Sequence, residues 1–333
     1  MRNARVSRKP GDLPRTLSAF STLAQRCSGL LSHLDIRKLS WLALVVLLAA
    51  CSNPRNPSTN NSREITDDAG RRVSLPARVD RVISLAPNLT EIVFAVGAGN
   101  RLVGRTSYCD YPPEAKAVPE IGDTLHPSLE RIIALRPQVV LISTASQLEV
   151  FTQQLQNQDI AVFVTDPHDL AGVFRSIEQV GEILGQKEQA TLLVQKLRER
   201  TNAVEQAVKQ KPLVRVFYQL SAEPLYTAGH DAFVTDLIRR AGAISVTAAV
   251  PGAWPKYSNE SALAAKPEAI ILPTGGSMGT GNSTVTEALR QSPAALAGRV
   301  FKINDDHLVR PGPRAIDGLE EMAKALHPDA FNK

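Results

Sequence analysis

From Arg81 onward, short apolar runs alternate with stretches in which apolar residues recur every three or four positions. Residues 82–86, 139–143 and 161–165 are almost wholly apolar, rich in Val and Ile, and of strand length, which predicts strands buried on both faces. Between them, residues 89–96, 129–135 and 148–156 carry helical spacing. Such βα alternation predicts a parallel-type sheet covered by helices. A second set follows at 214–220, 232–241, 269–272, 285–289, 300–303 and 316–326, so the expected fold class is α/β with two lobes.

Between the two sets, residues 169–211 contain no strand-like run. Residues 188–210 hold neither Gly nor Pro and set Leu192, Leu193, Leu197, Val204 and Val208 near one face. This predicts a single helix of about 35 Å, long enough to cross the back of both lobes and stiff enough to limit hinge motion.

An internal repeat links the lobes. Ser128-Leu129-Glu130 leads through Arg136-Pro137 to an apolar strand, and Ser258-Asn259-Glu260 leads through Lys266-Pro267 to another, at a constant offset of 130. Each copy predicts a Ser-capped short helix, a Pro-terminated turn and a buried strand. Glu130 and Glu260 fall at equivalent places. A carboxylate in a first helical turn stabilises the positive helix end by about 0.3–1 kcal/mol, which would account for both residues. Matched carboxylates on two lobes also suit basic sockets on a symmetric partner, and spacing alone leaves the two readings open.

The beginning of the chain differs in character. The full 333 residues carry 38 Lys and Arg against 33 Asp and Glu, a net charge of +5. Residues 1–50 hold eight of the basic residues and two of the acidic ones, which leaves the rest with 30 basic against 31 acidic. The positive balance belongs to the leader, and no polyanion-binding argument survives. Arg37 and Lys38 precede an uncharged run, residues 39–50, too short to span a bilayer. This is the pattern of an export signal. It ends Leu48-Ala49-Ala50-Cys51, which resembles the bacterial lipobox, where the new N-terminal cysteine carries acyl chains; a signal-peptidase site that Cys51 merely happens to follow is the alternative. Two or more acyl chains anchor stably. Residues 52–63, SNPRNPSTNNSR, have no large apolar side chain and are expected to form a flexible spacer of roughly 20 Å reach. With Cys27 in the leader and Cys51 lipidated, Cys109 alone remains, so no internal disulfide is expected. The expected organisation is a signal at 1–50, a tether at 51–63, a first lobe at 64–168, a connecting helical segment at 169–211 and a second lobe at 212–333.

These residues resemble a family: the substrate-binding proteins of bacterial ABC importers for cobalamin, iron-siderophores and haem. The resemblance runs from about Asp67 to Phe331. It is carried by Asp67-Asp68-Ala69-Gly70-Arg71-Arg72-Val73, by Arg81-Val82-Ile83-Ser84-Leu85-Ala86-Pro87 and by the repeated Ser-x-Glu…Pro segments, while Ser107-Tyr108-Cys109-Asp110-Tyr111-Pro112-Pro113 is most similar to the cobalamin-binding branch. The resemblance implies two Rossmann-like lobes joined by a single long helix, with a ligand cleft between them. It implies a non-enzymatic, lipid-anchored monomer on the extracytoplasmic face of a bacterial membrane, with no cofactor of its own. Its partners would be a permease dimer with ATPase subunits and a transported corrinoid, with no nucleic acid. In that branch the tyrosine at Tyr108 contacts the corrin, and Asp306-His307-Leu308-Val309-Arg310 lies opposite. Glu130 and Glu260 would meet permease arginines, which adds docking to their capping role. Ferric siderophores and haem are the alternative cargoes.

A corrin has an apolar face and a rim of amides, so it calls for an aromatic plate and a few donors and acceptors. Tyr108 can supply the plate, Asp306 an acceptor and Arg310 a donor fork. The plain alternatives are core packing for Tyr108 and a surface ion pair for Asp306 with Arg310. Trp254 could form another wall or serve as a loop anchor. Cobalamin-binding relatives often carry a tryptophan where this chain has Thr124-Leu125-His126 and aromatics where it has His307-Leu308, so a less aromatic pocket is expected. His126 and His307 could offer an axial nitrogen to cobalt or iron, or be ordinary surface residues. A different class is weighed because Gly275-Gly276-Ser277-Met278-Gly279 satisfies the G-x-S-x-G pattern of serine hydrolases, with Asp305 or Asp306 and His307 following. Thr280-Gly281-Asn282-Ser283 separate Ser277 from the next helical pattern and no HGGG-like segment precedes it, which disfavours a hydrolase. Gly97-Ala98-Gly99 lacks the third glycine of a dinucleotide loop, and His168 and His230 stand in no zinc spacing.

Overall fold

The computed structural model describes residues 62–143, 149–275 and 284–331. The leader, Cys51 and most of the spacer lie outside these residues, as does Ser277. Ser62 and Arg63, expected in the spacer, instead begin strand β1 (Ser62–Thr66), which pairs antiparallel with β2 (Arg72–Pro76). The turn between them explains the Asp67-Asp68-Ala69-Gly70-Arg71 motif. Gly70 takes a φ of +73°, which favours glycine. The buried Asp67 carboxylate accepts from the Arg71 amide and side chain at 2.9 and 3.0 Å and from the Val164 amide at 3.3 Å, so the hairpin is pinned to the first lobe.

The first lobe is a parallel sheet of β3 (Val82–Ser84), β4 (Leu102–Arg105), β5 (Val139–Ser143) and β6 (Ala161–Thr165) in the order β4-β3-β5-β6. Its inner strands are buried along their length, as their apolar sequences require. The helices α1 (Pro87–Ala95), α2 (Leu129–Ala134) and α3 (Glu149–Gln156) belong to it.

The connecting segment holds two helices, α4 (Leu170–Ile183) and α5 (Lys187–Val208), of which α5 is the helix expected over 188–210 and α4 was not anticipated as a separate one. Asp169 caps α4 by accepting from the Gly172 amide at 2.7 Å, and Gly185, at a φ of +63°, breaks the path. The chain then folds back so closely that a Cβ on Gly181 would stand 2.3 Å from that of Ala190. The 22 residues of α5 rise about 33 Å. Ala190, Val194, Leu197, Thr201, Val204 and Val208 form its buried stripe, whereas Leu192, expected near that face, is exposed.

In the second lobe, β7 (Val214–Ala222) is the long inner strand. It pairs parallel with β10 (Ala269–Thr274) on one side, and β10 pairs parallel with β11 (Val300–Asn304). The other edge of β7 is shared between parallel β9 (Ala243–Ser245) and antiparallel β8 (Leu225–Thr227). Helices α6 (Phe233–Arg240), α7 (Asn259–Ala264), α8 (Pro293–Leu296), α9 (Asp305–Leu308) and α10 (Ala315–Leu326) complete it, and α5 packs on α10. Residues 285–289, expected as a regular element, enter only a 3-10 turn at Ala288–Gln291.

The repeat is structural. Ser128 Oγ accepts from the Arg131 amide at 3.3 Å and Ser258 Oγ from the Ser261 amide at 3.0 Å. Each copy then places a non-glycine residue in the left-handed region just before proline, Arg136 at φ 46° and Lys266 at φ 48°. Among the described residues no helix is long and apolar enough to cross a membrane.

Candidate functional site

In both lobes the parallel strands end on the same side, and the loops that leave those ends face one another across a cleft, where ligands of open α/β sheets bind. A cavity of about 350 Å³ lies there. The first lobe lines it with Ala86, Pro87 and Asn88 after β3, Thr124, and Asp166 and His168 after β6; the second contributes Asp231, Trp254, Val309 and Arg310. Trp254 is 37% exposed and its ring sits 6.1 Å from that of Tyr218, which is fully buried.

The polar side of the cleft holds one histidine–aspartate contact, and Asp231 meets His230 beside it. His168 Nε2 lies 3.1 Å from Asp166 Oδ2, and its Nδ1 lies 3.4 Å from the Asp231 carbonyl across the cleft. His230 Nδ1 stands 2.7 Å from Asp231 Oδ1, and this contact, with the Gly252 amide, holds the Asp231 carboxyl below the usual range. Among the described residues no three His, Cys, Asp or Glu side chains gather in a way that could hold a metal ion.

The residues singled out in the sequence fall in different places. Trp254, Val309 and Arg310 line the cleft. Tyr108 is half-buried beside it and does not line the 350 Å³ cavity; its carbonyl accepts from Arg310 Nη2 at 3.5 Å. His307 and Leu308 turn away. The single turn of α9 sends Leu308 into the core at 0% exposure and His307 toward α10, where Nδ1 lies 3.0 Å from Glu321 Oε1. His307 is not among the residues that line the 350 Å³ cavity. His126 has an 81% exposed side chain, outside the cavity lining; its amide and that of Leu125 donate to Asp123 Oδ1 at 2.6 and 2.7 Å. Cys109 is buried, its sulfur 3.2 Å from Thr106 Oγ1.

Asp306 and Arg310 meet each other rather than standing open. Asp306 Oδ1 is 2.9 Å from Arg310 Nη2, and Arg310 Nη1 lies 3.1 Å from Asp110 Oδ1 and 3.5 Å from Glu91 Oε1. Arg314 completes the group with a fork onto Glu91, Nε to Oε2 at 3.0 Å and Nη2 to Oε1 at 2.6 Å, while its guanidinium covers the Tyr111 ring at 4.1 Å. Glu91 and Arg310 are each 3% exposed at the side chain. Burial pushes the Glu91 carboxyl above its usual range, and Arg314 and then Arg310 recover part of that cost. Sequence reading missed Glu91, Asp110 and Arg314 as partners. The available signal was a carboxylate on the apolar face of α1, between Leu89 and Ile92.

Glu130 and Glu260 are exposed and form no ion pair with a described residue. Each is the second residue of a helix that runs back against the strand following it, so both helix starts lie on the cleft side of their sheets.

Comparison with known proteins agrees with this architecture. Residues 82–305 match the profile of a family described as periplasmic binding protein. The chain is 30% identical over 311 residues to the ABC transporter substrate-binding lipoprotein YvrC of Bacillus subtilis, covering 88% of this chain and 98% of that one. It is 31% identical over 252 residues to a vitamin B12-binding protein of Pectobacterium atrosepticum, covering 74% and 88%. Among solved structures, the periplasmic vitamin B12 binding protein BtuF of Vibrio cholerae aligns with a TM-score of 0.68 at 25% identity over 77% of this chain and 99% of its own. The heme-binding protein RhuT of Roseiflexus sp. RS-1 aligns at 0.67 and 26% over 76% and 99%.

Proposed function

This chain belongs to the periplasmic binding protein family, and on that premise we propose that it captures a corrinoid, cobalamin or a close analogue, and presents it to an ABC permease without chemical change. The observation that carries this reading is the cleft at the strand ends of two matched sheets, with Trp254 on one wall; an exposed glutamate in the first turn of the matched helix on each lobe supports it. Trp254 offers an apolar plate to a ring face, and the polar side with Asp166, His168 and Asp231 suits a rim of amides. The B12-binding proteins among its relatives support that cargo. Haem is the second reading, favoured by the imidazole of His168 in the cleft wall and by the likeness to RhuT.

The protein acts as a monomer, held to the membrane by acyl chains on Cys51, and the spacer that follows lets it reach the transporter. Glu130 and Glu260 dock against basic residues of the permease dimer, whose ATPase subunits drive release. Calorimetry of the purified chain with cyanocobalamin, hemin and a ferric siderophore tests the cargo. Submicromolar binding of cyanocobalamin alone is the expected result, and a preference for hemin replaces the first reading with the second. Glu130→Ala combined with Glu260→Ala is expected to spare cargo affinity and to cut cellular uptake at least tenfold; unchanged uptake removes the docking role.

A further inference from the structure

Residues 305–314 follow the last strand of the second lobe, and Arg310, Pro311 and Arg314 among them make polar contacts with the first. Asn88 Nδ2, in the first turn of α1, donates to the Pro311 carbonyl at 3.3 Å, and a Cβ on Gly312 would stand 3.3 Å from the Cβ of Asn88. One turn further along α1 is Glu91, flanked by fully buried Leu89, Ile92 and Val93. An ionised carboxylate in such surroundings persists only when met by opposite charge and hydrogen bonds. Both arginines that meet it come from the other lobe, and Arg314 does so with a two-pronged fork, the geometry that fixes distance and angle together.

The same stretch forms the floor of the cleft: Ala86, Pro87 and Asn88 on one side and Val309, Arg310 and Pro311 on the other line the 350 Å³ cavity. We propose that Glu91, gripped by Arg310 and Arg314, is a positioning residue for cargo capture, a strut between the lobes that holds the two walls of the cleft at one spacing. Of the three residues only Arg310 lines that cavity; Glu91 and Arg314 stand outside its lining. Glu91 therefore acts through Asn88 and residues 309–311, not by touching what is carried. Asp110 and Asp306 brace Arg310 from either lobe, so that the guanidinium is held in place before any ligand arrives.

The strut follows from the contacts alone; its effect on capture rests on the cleft being the cargo site, and the test separates the two. Hydrogen exchange of the full chain without cargo is measured for Glu91→Gln, which keeps the shape and removes the charge, and for Arg314→Lys, which keeps the charge and removes the fork. Residues 86–95 and 305–315 are expected to exchange at least tenfold faster in both variants, with β5 and β10 unchanged. Unchanged exchange in these segments, or an equal rise throughout both sheets, overturns the strut; should Glu91→Gln not fold, Arg314→Lys decides. With cyanocobalamin as the probe, the dissociation rate of Glu91→Gln is expected to rise at least threefold while the association rate stays within twofold. Equal dissociation rates overturn the positioning role. If wild type binds no cyanocobalamin, the same rates are read with whichever of hemin or the ferric siderophore it binds.

Discussion

Two polar junctions tie the lobes and their connector together, and they are built from the same parts with opposite results. At the cleft floor, Glu91 lies between Arg310 and Arg314. At the connector, Asp236 of α6 lies between Arg239 and Arg240 at 2.5 and 2.7 Å and accepts the Leu170 amide, at the start of α4, at 3.1 Å. Burial pushes the carboxyl up in both places. At Asp236 the Arg240 side chain, the Leu170 amide and Arg239 outweigh it and hold the carboxyl below the usual range, whereas at Glu91 burial prevails. The Asp236 junction has a backbone donor and an arginine 65% exposed to water; the Glu91 junction has neither exposed arginine nor amide. A dry junction fixes geometry at a cost in stability, and a wet one adds stability while tolerating movement.

This contrast can be broken experimentally. Removing the dry carboxylate takes the fork from Arg314 in a buried setting, while Arg310 keeps Asp110 and Asp306, so Glu91→Ala is expected to lower unfolding free energy by about 3 kcal/mol in denaturant titration. Asp236→Ala leaves Arg239 able to reach water and Arg240 paired with Glu205, and is expected to cost less, about 2 kcal/mol. Equal losses would show that exposure is not what distinguishes the two.

The pH dependences differ in sign. Because the folded Asp236 carboxyl titrates below its ordinary 3.8, its contribution is complete above that value and is lost as pH falls through the folded pKa. The gap between wild type and Asp236→Asn is therefore expected to close in acid. Glu91 titrates above its ordinary 4.5, so its contribution is complete below 4.5 and is lost as pH rises through the folded pKa. The stability of wild type relative to Glu91→Gln is expected to fall as pH rises above 4.5, and parallel curves for the two positions would contradict the assignment. The smallest effect falls on the exposed member: Arg239→Ala is expected to change stability by less than about 1 kcal/mol, as exposed ion pairs do.

Neither junction was legible in the chain. The elements with strong local patterns were. The strands at 139–143 and 161–165 coincide with β5 and β6, and residues 188–210 anticipate α5 within two residues at either end. The repeat was read down to its serine caps because every feature involved lies within about ten residues. Weakly patterned strands escaped: β4 contains Gly104, β8 and β9 have three residues each, and β1 begins inside a stretch whose composition resembles a spacer. The connector was legible as helical but not as two helices, since Gly185 ends one helix by its backbone and Gly181 shows its purpose only once Ala190 is packed against it.

At the site, Trp254 and Arg310 were identified in sequence and line the cleft, while His307 and Leu308 were assigned to it and turn elsewhere. Adjacency along the chain does not tell which side of a single helical turn faces a neighbour 200 residues away. Sequence alone determined the α/β class, the two lobes and their matched glutamates, because apolar periodicity and capping are local properties of the chain. Only tertiary structure decided that Arg310 and Arg314 reach Glu91, since a buried charge finds its partner through space, and the partner can come from any part of the chain that the packing brings near.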